Sequence, residues 1–166
     1  MTSIILNGHY LIKNSLNPSE IKRVKPQSKR IDQGKVDRMR QLYIADDNED
    51  FAEFIATVAE REGWSVKTCI NGVELLDAVM SNDGPALLLI DVNMPEMDGI
   101  ESIKALVNVQ RPLQIHFMTG GPGSTIDAAE TIAKGYGLSV GGNIIKPVTK
   151  QALIWMLKQE ASLCEH

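Results

Sequence analysis

The sequence predicts an α/β protein, a doubly wound parallel sheet in which five strands alternate with five helices, and three observations carry that expectation. Short apolar runs alternate with amphipathic helical patterns from residue 41 onward, an order that a parallel sheet with right-handed crossovers satisfies. Leu87, Leu88, Leu89 and Ile90 follow one another with no polar alternation, as expected of a strand covered by helices on both faces. Asp46, Asp47, Asp91, Thr119 and Lys146 each close one of these runs, and strand ends in an open α/β sheet converge on one crevice.

The elements follow in order. In SIILNGHYLIK, Asn7-Gly8 stands between short apolar stretches, the signal for a two-residue hairpin turn. Residues 17–40 are charged, carry Pro18 and Pro26, and show weak apolar periodicity; they read as a linker with a short helix near its end. The first core strand is Leu42 to Ala45. Phe51, Phe54, Ile55 and Val58 then have the i, i+3, i+4, i+7 spacing of a helix, which Gly63 closes at C′. WSVKTCI is the second strand, and NGVELLDAVMSN repeats the helical pattern through Val73, Leu76, Val79 and Met80. After the third strand, Pro95 and Gly99 mark a loop and Asp98 caps a helix running to about Val109. LQIHFM is the fourth strand, GGPGSTIDAAETIAKGYG a glycine-rich loop and helix, VGGNIIK the fifth strand, and TKQALIWMLKQ a helix capped by Thr149.

Composition bounds the rest. With 166 residues and 43% hydrophobic side chains, the chain accommodates one core and an appendage: a basic extension over residues 1–39 and a domain over 40–162. The cysteines are Cys69 and Cys164, with no C-x-x-C pair and no secretory h-region, which fits a reduced, cytoplasmic setting. Apolar runs fall far short of the roughly 18 to 20 residues that span a bilayer, so no membrane partner is expected. Residues 1–40 carry nine Lys/Arg and three acids (9 − 3 = +6), and residues 41–166 carry eight and eighteen (8 − 18 = −10). A basic arm can meet nucleic acid, acidic lipid or an acidic protein surface; a solvated tail is the reading that composition favours.

Three carboxylates gathered at strand ends repel, and a proton or a cation must offset them. Oxygen ligands without nearby His or Cys call for a hard divalent ion, Mg²⁺ above all, and disfavour zinc. Lys146 adds a mobile point charge and Thr119 a hydroxyl, both suited to phosphoryl oxygens. A carboxylate can itself attack phosphorus to form an acyl phosphate. Other motifs carry less. GGPGS is not followed by the lysine of a phosphate-binding loop, and Gly135, Gly137 and Gly141 precede a strand rather than follow one. His9, His116 and His166 lack metal spacing, His116 being a core or face residue, and Trp64 and Trp155 lack a basic, aromatic-interleaved setting.

IADDNED, LLIDVNMPEMDG, FMTGG and IIKPV, in this order, closely resemble the receiver domain of two-component response regulators, over about residues 40 to 160. The resemblance implies a flavodoxin-like sheet with strand order 2-1-3-4-5. It also implies phosphorylation of Asp91 by a sensor histidine kinase or a histidine phosphotransfer protein, with no enzymatic turnover of a separate substrate. Mg²⁺ would be held by Asp47, Asp91 and the backbone carbonyl of Asn93, with Asp46 reaching it through water; Thr119 would bond the phosphoryl group, Lys146 would pair with it, and the bond before Pro147 would be cis. Output would be a change in protein partner affinity, or homodimerisation, at the face of the fourth helix, fifth strand and fifth helix. No direct DNA contact is expected, because no helix-turn-helix follows Lys158. Two features depart from the family pattern. Asn143 stands where an aromatic switch residue is usual, and Thr119 and Lys146 are 27 positions apart, longer than the family's norm. The stretch from Thr119 to Pro147 is similar to receivers joined to cyclic-dinucleotide phosphodiesterase domains. Two alternatives therefore stand beside the phosphoacceptor reading: the receiver portion of such a phosphodiesterase, and a docking or dimerisation module independent of phosphorylation.

Overall fold

The structure, a computed structural model, describes residues 4–6, 9–11, 40–94, 99–121 and 123–163. The chain divides into two units, residues 1–36 and 37–166. In the first, β1 (Ile4–Leu6) and β2 (His9–Leu11) pair antiparallel with Leu6 opposite His9, the pairing expected of a hairpin. Its Asn7-Gly8 turn, the expected linker up to residue 39 and the Asp98 cap lie outside the described residues.

The second unit runs β3 (Arg40–Ala45), α1 (Glu49–Arg61), β4 (Trp64–Cys69), α2 (Gly72–Met80), β5 (Ala86–Asp91), α3 (Gly99–Leu106), β6 (Leu113–Thr119), α4 (Gly123–Gly135), β7 (Ser139–Val140), β8 (Ile144–Ile145) and α5 (Lys150–Leu163). All its strand pairs are parallel, in the order β4-β3-β5-β6-β7 with β8 also beside β6. Counted along the chain, that is second, first, third, fourth, fifth, the expected 2-1-3-4-5. Every residue of β5 is buried, and successive side chains of a strand point to opposite faces. Leu88 and Ile90 accordingly pack with Leu75 and Val79 of α2, Ile103 of α3 and Ile126 of α4. Leu87 and Leu89 pack with Ile55 and Val58 of α1 and Leu153 and Leu157 of α5. Truncating one such leucine to alanine costs about 2–5 kcal/mol, so the central strand anchors both layers.

Local chemistry sets the helix ends. Asn48 caps α1 by accepting from the Phe51 amide at 3.0 Å, and Asn71 caps α2 by accepting from Glu74 at 2.9 Å. Thr149 caps α5 through its hydroxyl, 3.2 Å from the Ala152 amide. Gly63 follows α1 at φ +86°, a left-handed turn that a Cβ would strain. At the far end of the sheet, Arg111 spreads its guanidinium over main-chain carbonyls. It donates to Gly84 at 2.6 Å, Val79 and Asn82 at 3.0 Å and Asp83 at 3.2 Å, and to the Gln41 side chain at 2.8 Å. Among the described residues, no helix is long and apolar enough to cross a membrane.

Two expectations need correction. The buried face of α2 is Gly72, Leu75 and Val79 with Leu76 half-buried, whereas Val73 and Met80 are exposed. With apolar residues crowded along this helix, more than one set fits a 3.6-residue period, and the true first member, a glycine, has no side chain to reveal it. The fifth strand is also broken into β7 and β8 around Gly141-Gly142-Asn143. The imidazole of His116 fills the gap: Nδ1 lies 2.6 Å from the Gly142 carbonyl and Nε2 2.9 Å from Glu160 Oε1 on α5. A carbonyl can only accept, so Nδ1 is the donor in the first of these contacts.

Because the ring is pinned on both nitrogens, it cannot yield. A Cβ on Gly141 would stand 2.4 Å from His116 Nε2 and 2.5 Å from Cε1, well inside contact distance. Gly141→Ala is expected to lower unfolding stability by about 1–3 kcal/mol, the range for overpacking, by urea denaturation. His116→Ala combined with Gly141→Ala should cost less than the sum of the two single changes, since the closest clash is with the imidazole and Gln114 Nε2, at 2.9 Å, is the end of a flexible side chain.

Candidate metal centre

The carboxyl ends of three adjacent strands build the site. β3 ends at Ala45, and the chain must turn there to reach the Asn48 cap of α1. Asp46 sits in that turn with its amide donating to the Cys69 carbonyl at 3.0 Å and its Oδ1 accepting from Asn48 N at 3.0 Å. Asp91 is the last residue of β5, and its Oδ1 accepts from Asn93 N, also at 3.0 Å. Thr119 ends β6, fully buried, with Oγ1 accepting from Gly121 N at 3.0 Å and from Asn93 Nδ2 at 3.2 Å. Lys146 follows β8, its amide donating to the Thr119 carbonyl at 2.8 Å, and the Lys146-Pro147 bond is cis.

These placements bring the expected residues together. Asp46, Asp47 and Asp91 each offer an oxygen within 4.8 Å of the others. Lys146 Nζ lies 2.5 Å from Asp91 Oδ2 and 2.6 Å from Asp46 Oδ2. Asp46 and Asp91 are buried and Asp47 is exposed, so the cluster opens to solvent on one side. Asn93 and Thr119 adjoin it through their mutual hydrogen bond. Asn143 does not join them: its exposed amide donates to Glu130 Oε2 on α4 at 3.0 Å.

The electrostatics are those of an under-compensated cluster. Burial pushes the Asp46 carboxyl above its ordinary range, while Lys146 and the Asn48 amide pull it back only in part. Lys146 loses to burial as well, but hydrogen bonds and charge from Asp46 and Asp91 outweigh that loss and raise it above its ordinary 10.5. Three carboxylates against one ammonium (−3 + 1) leave a formal charge of −2. Asp46 Oδ2 is buried, and Lys146 Nζ at 2.6 Å is the partner that meets it. Three carboxylate oxygens within 4.8 Å of one another, an all-oxygen donor set and a formal charge of −2 fit a hard divalent cation.

One member of the site is not signalled by its residue type. Helical spacing assigns Phe51 to the inner face of α1; there it is half-buried, and its ring centroid lies 4.8 Å from Lys146 Nζ. Nothing local distinguishes a core phenylalanine from one that meets a lysine 95 positions away. The Asn93 side chain is the other case, because its bond to Thr119 depends on how two loops pack.

Residues 42–158 match the family model described as response regulator receiver domain. The chain is 31% identical over 122 residues to the transcriptional regulatory protein CpxR homolog of Haemophilus influenzae, covering 72% of this chain and 49% of that one. It is 33% identical over 82 residues to the response regulator receiver protein CpdR of Brucella abortus, covering 49% and 68%. The match thus spans about half the length of the first relative and two thirds of the second. Among solved structures, a response regulator receiver domain protein from Methanospirillum hungatei shares the fold, with TM-score 0.64, 22% identity, and coverage of 76% of this chain and 97% of that one.

The ion pair of Lys146 fixes a pH window. A lysine raised above its unfolded value contributes stability that is complete below that value and is lost as pH rises through the folded one. The urea midpoints of the parent and Lys146→Met should therefore differ by a constant amount from neutral pH to about 9.5. The difference should shrink only above 10.5, the ordinary lysine value. A difference that vanished near neutrality would show that the pair contributes nothing.

Proposed function

Since the chain belongs to the response regulator receiver domain family, a regulatory component of two-component signalling, we propose that its Asp91 accepts a phosphoryl group from a sensor histidine kinase or histidine phosphotransfer protein in the cytoplasm. The observation that carries this reading is the convergence of Asp46, Asp47, Asp91 and Lys146 on one rim of the sheet. Residues 40–162 form the receiver body in this reading, and 1–39 a basic extension.

The transfer is an exchange at phosphorus. A carboxylate oxygen of Asp91 forms the new O–P bond as the P–N bond to the donor imidazole breaks. Asp47, Asp91 and the Asn93 main-chain carbonyl would hold Mg²⁺, with Asp46 reaching it through water, and the ion would supply charge to offset the crowded oxygens. The Asn93 amide fixes the Asp91 carboxylate through Oδ1. Lys146, already at Oδ2, carries three rotatable donors that can follow the incoming oxygens. The acceptor side of the Thr119 hydroxyl is engaged by Gly121 and Asn93, so its proton is the group to offer a phosphoryl oxygen.

Reorientation of Thr119 toward the new charge breaks those two bonds and re-poses the loop that leads into α4. Affinity for a protein partner, or for a second copy, then changes at the face of α4, β7, β8 and α5. With Asn143 small, exposed and tied to Glu130, that response runs through the main-chain link from Lys146 N to the Thr119 carbonyl, not through an aromatic rotor. The same residue favours a second reading, a docking receiver indifferent to phosphorylation. Its mark would be equal sedimentation with and without beryllofluoride and Mg²⁺.

Asp91→Asn should reduce labelling by acetyl phosphate or a phosphohistidine donor to background, and chelating Mg²⁺ should do the same to the parent. Persistent labelling of Asp91→Asn would sink the assignment. Thr119→Ala should still be labelled but show a blunted change in partner affinity or oligomeric state; a response equal to the parent's would remove Thr119 from the mechanism.

A further inference from the structure

We propose that Phe51 is a positioning residue that holds the Lys146 ammonium on the ion-free carboxylate cluster and so weakens the site's affinity for Mg²⁺; this rests on the metal reading given above. The ammonium has two carboxylate contacts, at 2.6 Å to Asp46 Oδ2 and 2.5 Å to Asp91 Oδ2. The Phe51 ring lies against it as well, 4.8 Å from nitrogen to centroid. That is within the roughly 6 Å reach at which the negative face of an aromatic ring attracts a cation. The Lys146 side chain is only 16% exposed, so little water competes with the ring.

The ring is held in place from behind. Its residue is the third of α1, with its amide bonded to the Asn48 cap at 3.0 Å. Phe54, one turn on, meets the ring at a centroid distance of 6.2 Å with the planes inclined by 34°. The ring therefore meets both the ammonium and Phe54.

The consequence for metal binding has a definite sign. Lys146 occupies oxygens of Asp46 and Asp91, two of the three carboxylates that a divalent ion would share. Ammonium and metal ion repel at that range, so Lys146 held in this place opposes entry of the ion. Whatever favours the ammonium in place lowers the apparent affinity by the same factor. The cation–π contact is such an interaction, and the aliphatic side chain of leucine cannot supply it.

Isothermal titration of the full chain with MgCl₂ tests this in the parent, Phe51→Leu, Phe51→Tyr, Lys146→Met and the Phe51→Leu/Lys146→Met double variant. Phe51→Leu should bind Mg²⁺ about two- to fivefold more tightly, the factor of a cation–π contact at a partly solvated site, and Phe51→Tyr should match the parent. In the Lys146→Met background, Phe51→Leu should change nothing. Phe51→Met, which also lacks the ring, takes its place should the leucine variant not fold. Equal or weaker binding by the ring-less variant, or the same gain without Lys146, would overturn the inference while leaving the metal site standing. A folded parent that binds no Mg²⁺ would overturn both.

Discussion

Mutual repulsion of carboxylates at the rim of the sheet is the constraint from which the remaining architecture can be understood. Asp46 and Asp91 are both buried, and Lys146 reaches back to form an ion pair with each. That contact requires β3 and β5 to be neighbours and β6 to carry β8 along its upper end, and the sheet is ordered in this way. It also requires short, sharply defined exits from the strands. The Asn48 cap, the Asn93 amide on Asp91 and the cis bond before Pro147 are the local devices at those exits. Fold and site are thus one solution: the strand order that buries the apolar layers is the order that assembles the charges.

What could be read beforehand, and what could not, divides along physical lines. β5 was legible because four consecutive branched aliphatic residues admit few interpretations, and the strand-end polar residues were legible because each follows an apolar run directly. The caps at Gly63 and Thr149 announced themselves by residue type. By contrast, the inward face of α2 was obscured by a surplus of apolar side chains and by Gly72 standing where the stripe begins. The break in the fifth strand depends on His116, more than twenty positions earlier, and no local pattern reports that a ring from the neighbouring strand will occupy the gap. Phe51 belongs to the same class: its spacing declared a helix face and concealed the lysine it would meet.

Asn143 and the break in the fifth strand lie side by side. Where a bulky switch side chain would fill space, this chain has Asn143 facing outward and an interruption of the strand just before it. His116 and Glu160 take over the tethering of α5 to the sheet across that interruption. The result is a fifth strand anchored by polar contacts on one side and by the Lys146–Thr119 main-chain bond on the other.

Arg111 draws a different lesson from the opposite pole of the molecule. Its fork addresses the peptide carbonyls of Val79, Asn82, Asp83 and Gly84 and none of their side chains. Recognition of that kind is blind to residue identity, so the arginine constrains the path of this loop and not the side chains it carries. Arg111 itself is fixed in type, because a lysine offers one point where the guanidinium presents a plane of donors. Homologous chains compared at this pole should show a variable loop beside an invariant arginine, the inverse of the usual expectation that partners in contact vary together.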